Sequence, residues 1–273
     1  GQYAVATMVF AAVLWVTGAV PLPLTALMVP ILLTLFGVYP DFGDAVAGFA
    51  DPVIFLLLAG FMFAEALQKH DVDRRIALAI LVRFGTSARG LVLGVMVATA
   101  LLSMVISNTA TVAMMVPIVL GIVESVTDLS AVESGDGDDA SNLQVGMLLG
   151  VAYAASLGGV GTLIGTPPNA IVVGQLNELL DFEITFVEWL AIGLPMVVVT
   201  LPVAWVLLTY VVYPPRRYDV SRAREDAREQ LQSMGPLSPA ARRTVAIFGL
   251  TALLWLLGGF EAAFDGVLPA QWY

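Results

Sequence analysis

Four stretches of more than 25 residues carry no charged residue: Tyr3–Pro40, Gly90–Val123, Ala140–Asn177 and Trp189–Pro215. Apolar residues run through them without the every-second-residue alternation of a barrel strand. About 20 apolar residues span a bilayer, whereas roughly 10–14 make a buried core segment. A charge at the bilayer centre costs roughly 2.5–3.5 kcal/mol on insertion scales. Backbone groups in lipid must also bond internally, so these stretches predict helices in a membrane.

The pattern resolves into elements. Ala4–Val20 is a first span, broken at Pro21-Leu22-Pro23, and Leu24–Val38 returns as a second. Asp51-Pro52 opens a third that runs to Gln68. Lys69–Arg89 is polar, with Ile76, Ala77, Ile80, Leu81 and Phe84 at helical spacing. That spacing predicts an amphipathic helix on the membrane surface. Glu188–Tyr213 is a full span, Pro214–Arg243 a soluble loop with seven arginines, and Thr244–Phe260 a last span, after which Glu261–Tyr273 trails off.

Two charge-free stretches are interrupted at mid-length. Gly90–Val123 contains Ser107-Asn108-Thr109-Ala110-Thr111, and Ala140–Asn177 contains Gly158 through Asn169, with four glycines and Pro167-Pro168. Polar, glycine- and proline-rich backbone survives at membrane depth only inside protein or along a wet cavity. Ser-Asn-Thr alone is as readily explained by hydroxyls bonding back to their own helix. The adjacent proline pair cannot continue a helix, because each proline removes a donor and clashes with the preceding turn. Unwound carbonyls, hydroxyls and amides are neutral oxygen ligands suited to Na⁺, and the N-termini of the half-helices after each break, at Ala110 and Pro168, suit an anion. Ser103 lies one helical turn before Ser107, so its hydroxyl faces the same place.

Charge distribution adds sidedness. Arginine-rich Lys69–Arg89 and Pro214–Arg243 belong on the cytoplasmic side. An even number of crossings must then separate them; Glu188–Tyr213 is one, and if Gly90–Val123 enters and leaves on the same side it adds none or two, so Ala140–Asn177 is then a single crossing broken in the middle. The chain is 59% hydrophobic and 12% charged, against about 25% charged in soluble domains. Its formal charge of −10 sits mainly in Glu124–Asp139, read as a solvated polar loop or as adaptation to high salt. That sign disfavours nucleic acid. The absence of cysteine excludes disulfides and thiolate metal sites. Gly1 opens an apolar segment with no basic n-region, so no signal peptide is expected and a trimmed start is. No mid-membrane carboxylate suggests a proton pump or protease, so no enzyme is expected.

The two interruptions, with Ile106 to Pro117 and Gly158 to Asn169 around them, resemble the divalent anion:sodium symporter family. Trp15–Leu27 and Asp73–Leu78 are similar to its early span and surface helix. The resemblance covers essentially the whole chain. It implies an all-α integral membrane protein, the first repeat of an inverted-repeat transporter with a re-entrant helical hairpin and a broken transmembrane helix, in the cytoplasmic membrane. It implies elevator-type organisation: scaffold-type helices and surface helix over 1–89, and a transport-type domain over 90–213. The latter comprises hairpin 90–123, acidic loop 124–141, broken helix 142–177 and span 185–213. A cytoplasmic loop, 214–243, and the first span of a second repeat, 244–273, follow.

The resemblance further implies Na⁺ as coupling ion, held by Ser103, Ser107, Asn108, Gly161, Gly165 and Asn169. It implies a small dianion, most readily a C4-dicarboxylate, touched by Asn108, Thr109, Thr166 and Pro167, with no organic cofactor. A homodimer is implied, as is a missing C-terminal half, since no second Ser-Asn-Thr occurs. An ion channel, or a non-transporting fragment that needs a partner chain, is the competing reading.

Overall fold

The computed structural model describes residues 1–133, 137–215 and 220–258, and among them every regular element is helical. The chain divides into two units, Gly1–Phe55 and Leu56–Tyr273.

In the first unit, α1 (Gln2–Thr17) and α2 (Leu22–Leu35) form a hairpin, followed by the short α3 (Phe42–Val46) and a 3₁₀ turn, Ala47–Ala50. Gly18 closes α1 at φ 62°, a conformation that favours glycine, and Pro21 lies just before α2. Tyr3 stacks on Phe36 at 5.5 Å. Both helices are shorter than the spans expected for them.

The remaining helices are α4 (Pro52–Lys69), α5 (Val72–Phe84), α6 (Ala88–Ser103), α7 (Asn108–Glu133), α8 (Gly137–Val160), α9 (Pro167–Leu180), α10 (Phe186–Val206), α11 (Ser221–Ser233) and α12 (Pro239–Gly258). A π-helical turn, Leu207–Val212, extends α10. Among the described residues, five stretches are long and apolar enough to cross a membrane: Pro52–Lys69, Asn108–Val126, Asn142–Val160, Phe186–Val212 and Pro239–Leu257. Ile192, Val198, Val199 and Val211 on α10 and its extension, and Ile247 and Leu254 on α12, are exposed. Lipid is the solvent in which such faces are stable, and the chain is a multi-pass membrane protein.

The core lies between α5, α6, α7, α8, α10 and α11, where Leu78, Leu81, Met96, Met115, Leu143 and Met147 are almost wholly enclosed. α8 is its centre, packing on α6, α7 and α10.

Three expectations change. The face that α5 buries is Val72, Asp73, Ala77, Leu78 and Leu81, while Ile76 is 40% exposed. The helix packs its apolar side on α6 and α11, so protein covers it. Pro214–Arg243 is not all loop: α11 lies within it, with Ala223 and Ala227 buried, and α12 begins at Pro239. The acidic stretch is helical over much of its length, because α7 reaches Glu133 and α8 starts at Gly137. The centre of that acidic loop (134–136), residues 216–219 and the tail from 259, including Glu261–Tyr273, lie outside the described residues.

Candidate cation and anion site

Both interruptions are real ends of helices. α6 stops at Ser103, and α7 starts at Asn108 after a tight turn in which Val105 and Ile106 donate to Leu102 O at 3.0 and 2.8 Å. α8 stops at Val160, and α9 starts at Pro167. α6 and α8 pack along each other, which brings the two breaks together. Thr162 Oγ1 donates across the junction to Met104 O. Trp189 Nε1 of α10 donates to Val160 O at 3.0 Å and braces the second break from behind.

Ser103 is wholly buried, with Oγ 2.6 Å from Asn108 Oδ1 and 2.7 Å from Ala155 O. A hydroxyl has one proton, so it can satisfy only one of these acceptors. With the Asn108 amide oxygen facing Ser103, the other approach leaves two oxygen lone-pair regions facing each other, an arrangement a cation relieves. Asn169, also buried, donates from Nδ2 to Gly159 O at 2.8 Å and Thr162 O at 2.9 Å. Its amide thereby holds the second break in shape.

Glycine is required where the two chain segments meet. A Cβ at Gly159 would lie 2.5 Å from Asn108 Oδ1, and one at Gly165 would lie 2.5 Å from Gly159 O and 3.0 Å from Ser103 O. The Gly159 backbone thus approaches Asn108 Oδ1 closely, and the Ser103 and Gly159 carbonyl oxygens both crowd Gly165. Neutral oxygens of this kind could hold Na⁺, and among the described residues no cluster of His, Cys, Asp or Glu could hold a metal.

The other sequence candidates take different positions. Ser107 Oγ accepts from Ala110 N at 3.4 Å, a capping contact. Gly161 is buried, but its carbonyl lies toward α10, where a Cβ at Gly193 would approach it to 3.1 Å. Thr109 and Pro167 are exposed, and Thr166 is half-buried at the N-cap of α9 with no side-chain capping bond. The helix starts fall at Asn108 and Pro167, not Ala110 and Pro168. Two prolines at the head of α9 remove two of its unpaired N–H groups, and Asn169 N donates to Thr166 O at 3.1 Å. The first N–H groups of α7, on Asn108 and Thr109, are therefore the better anion donors. The sequence does not single out Ala155 O and Gly159 O, because every residue carries a carbonyl and only the helix crossing selects these.

The profile of the family described as "Sodium:sulfate symporter transmembrane region" matches residues 1–267. Sodium-dependent dicarboxylate transporter SdcS of Staphylococcus saprophyticus is 33% identical over 262 residues, covering 95% of this chain and 50% of that protein. Its namesake in Staphylococcus aureus strain USA300 is 34% identical over 260 residues, covering the same shares. The chain spans about half the length of these curated relatives. With the family profile running nearly end to end over a helical membrane fold, the chain belongs to the sodium:sulfate symporter transmembrane family.

Proposed function

We propose that this chain forms one repeat of a sodium-coupled carrier of small divalent anions, C4-dicarboxylates foremost. The observation that carries the reading is the meeting of Ser103 Oγ, Asn108 Oδ1 and Ala155 O around a single proton. The relatives are named for sodium dependence and dicarboxylates, which agrees with this chemistry. In this reading α6 and α7 are a re-entrant hairpin entering from the cytoplasm, and α8 and α9 are one crossing broken in the middle. α6 has 16 residues, about 24 Å at 1.5 Å per residue, short of the roughly 30 Å hydrocarbon core.

Na⁺ sits between the two breaks, with Ser103 and Asn108 supplying side-chain oxygens and the Gly158–Asn169 segment supplying carbonyls. The substrate carboxylate docks on the exposed side of the same turn, against the N–H groups of Asn108 and Thr109 and beside Thr166 and Pro167. No Arg, Lys or His lies in Gly90–Val123 or Ala140–Asn177, so no side-chain cation there can neutralise a dianion. A helix N-terminus contributes about 0.3–1 kcal/mol, up to about 2 when partly buried. That is too little to desolvate two carboxylates, so bound Na⁺ carries much of the attraction.

Residues 1–89 act as scaffold and 90–213 as the moving body. A second half like that of the longer relatives supplies the opposite wall of the site, and the assembly is a homodimer. The test is uptake of succinate by the intact protein in proteoliposomes. An inward Na⁺ gradient should drive accumulation. Equal uptake on replacing Na⁺ with K⁺ overturns the proposal.

A further inference from the structure

A cavity of about 460 Å³ opens where the turn between α5 and α6 meets the start of α11, and Gly85, Thr86, Ser221, Arg224, Glu225 and Arg228 line it. Neither the hairpin nor the broken helix contributes to it. Arg224 is oriented by its own bond, Nε donating to Val82 O at 3.0 Å. Arg228 follows four residues later, so the two guanidinium groups stem from one face of α11, about 5–6 Å apart at Cβ. Against them, among the described lining residues, stands one carboxylate, Glu225, a net charge of +1 there (two arginines less one glutamate). This positive surface belongs to a chain whose formal charge is −10, so it is not a general property of the molecule.

Neighbouring aromatic residues mark its depth. The Arg89 guanidinium lies 4.2 Å from the centroid of the Tyr210 ring, and Trp205 Nε1 donates to Arg89 O at 3.0 Å. Trp205 and Tyr210 pack edge to face at 5.7 Å. Tryptophan and tyrosine near the end of an apolar helix settle at the headgroup level of a bilayer. Thr86 precedes Arg89 by three residues. By that tendency of tryptophan and tyrosine, the end of the cavity at Thr86 is expected near the headgroup level.

We propose that this cavity binds the phosphodiester of an anionic membrane phospholipid, with Arg224 and Arg228 on its free oxygens, and so fastens α11 to the membrane surface. Basic pockets beside transmembrane helices bind acidic headgroups through such pairs.

The experiment is native mass spectrometry of the intact protein, titrated with phosphatidylglycerol, with phosphatidylcholine and with inorganic phosphate. The wild type should retain phosphatidylglycerol over phosphatidylcholine. Arg228→Gln should weaken that retention about fivefold, from roughly 1 kcal/mol per arginine. Arg222→Gln changes the same charge on α11 but does not line the cavity, and it should match wild type. Gel filtration of each variant reports folding separately. The proposal is overturned if Arg222→Gln loses as much lipid as Arg228→Gln, or if phosphatidylcholine is retained equally. Displacement of the lipid by inorganic phosphate assigns the site to a soluble anion and overturns it too.

Discussion

Ser103 Oγ lies 2.6 Å from Asn108 Oδ1, across the turn that joins α6 to α7. The bond ties the end of one helix to the start of the next, and Asn108, the first residue of α7, also carries one of the N–H groups that have no partner within the helix. One residue therefore serves both ions in the proposed mechanism. Asn108→Ala should weaken Na⁺ binding by about 1.5–3 kcal/mol if charge-assisted contacts are lost, and dicarboxylate binding through the lost Na⁺, because alanine keeps the backbone N–H. Ser103→Ala should weaken Na⁺ first and substrate only through Na⁺. Separate Na⁺ and succinate titrations of both variants check this. A substrate loss in Ser103→Ala that persists at saturating Na⁺ contradicts it.

Gly159 gives a steric test of the same junction. The Cβ of Gly159→Ala would press on Asn108 Oδ1, and overpacking of this kind costs typically about 1–3 kcal/mol. The Na⁺ concentration for half-maximal uptake should rise while the protein still reaches the membrane. A Cβ on Gly249 would meet no heavy atom within 4 Å, so Gly249→Ala is the matched control.

Much of this junction was legible in the sequence, because Ser-Asn-Thr and Gly-Thr-Pro-Pro-Asn stand out against charge-free apolar runs. What was not legible depends on packing. Ala155 and Gly159 carry no chemical label, and only the crossing of α6 and α8 brings their carbonyls near Ser103 and Asn108. In α5, the stripes through Ile76 and through Leu78 are both apolar, and contact with α6 and α11 decides between them. In α11, the Ala223 and Ala227 spacing was overshadowed by the arginines around it.

Asp73 gives a pH signature. It is 5% exposed on α5, which is not among the spanning helices, and burial raises its pKa above the ordinary 3.8. A raised carboxyl pKa favours the folded state most below 3.8, and that contribution is lost as pH rises through the folded value. Asp73→Asn should keep the acceptor that meets Arg74 N at 2.7 Å while avoiding the buried charge. Its thermal midpoint relative to wild type should increase from pH 4 to pH 7. A difference that is constant across that range goes against this account.

The arginine distribution predicts topology. Ser221 stands in the arginine-rich segment placed in the cytoplasm, and the chain has no cysteine to interfere. Ser221→Cys should react with an impermeant thiol reagent only after intact cells are opened. A cysteine at Glu183, between α9 and α10, should react from outside. Labelling of Ser221→Cys in unopened cells reverses the orientation.

Shared ligands require reciprocal coupling between sodium and substrate. Calorimetry of succinate binding to the intact protein across a sodium series measures it directly. The account predicts that the apparent Kd falls as Na⁺ rises, that succinate tightens Na⁺ by the same factor, and that Asn108→Ala diminishes the effect. A succinate affinity independent of Na⁺, and unchanged in Asn108→Ala, would contradict it.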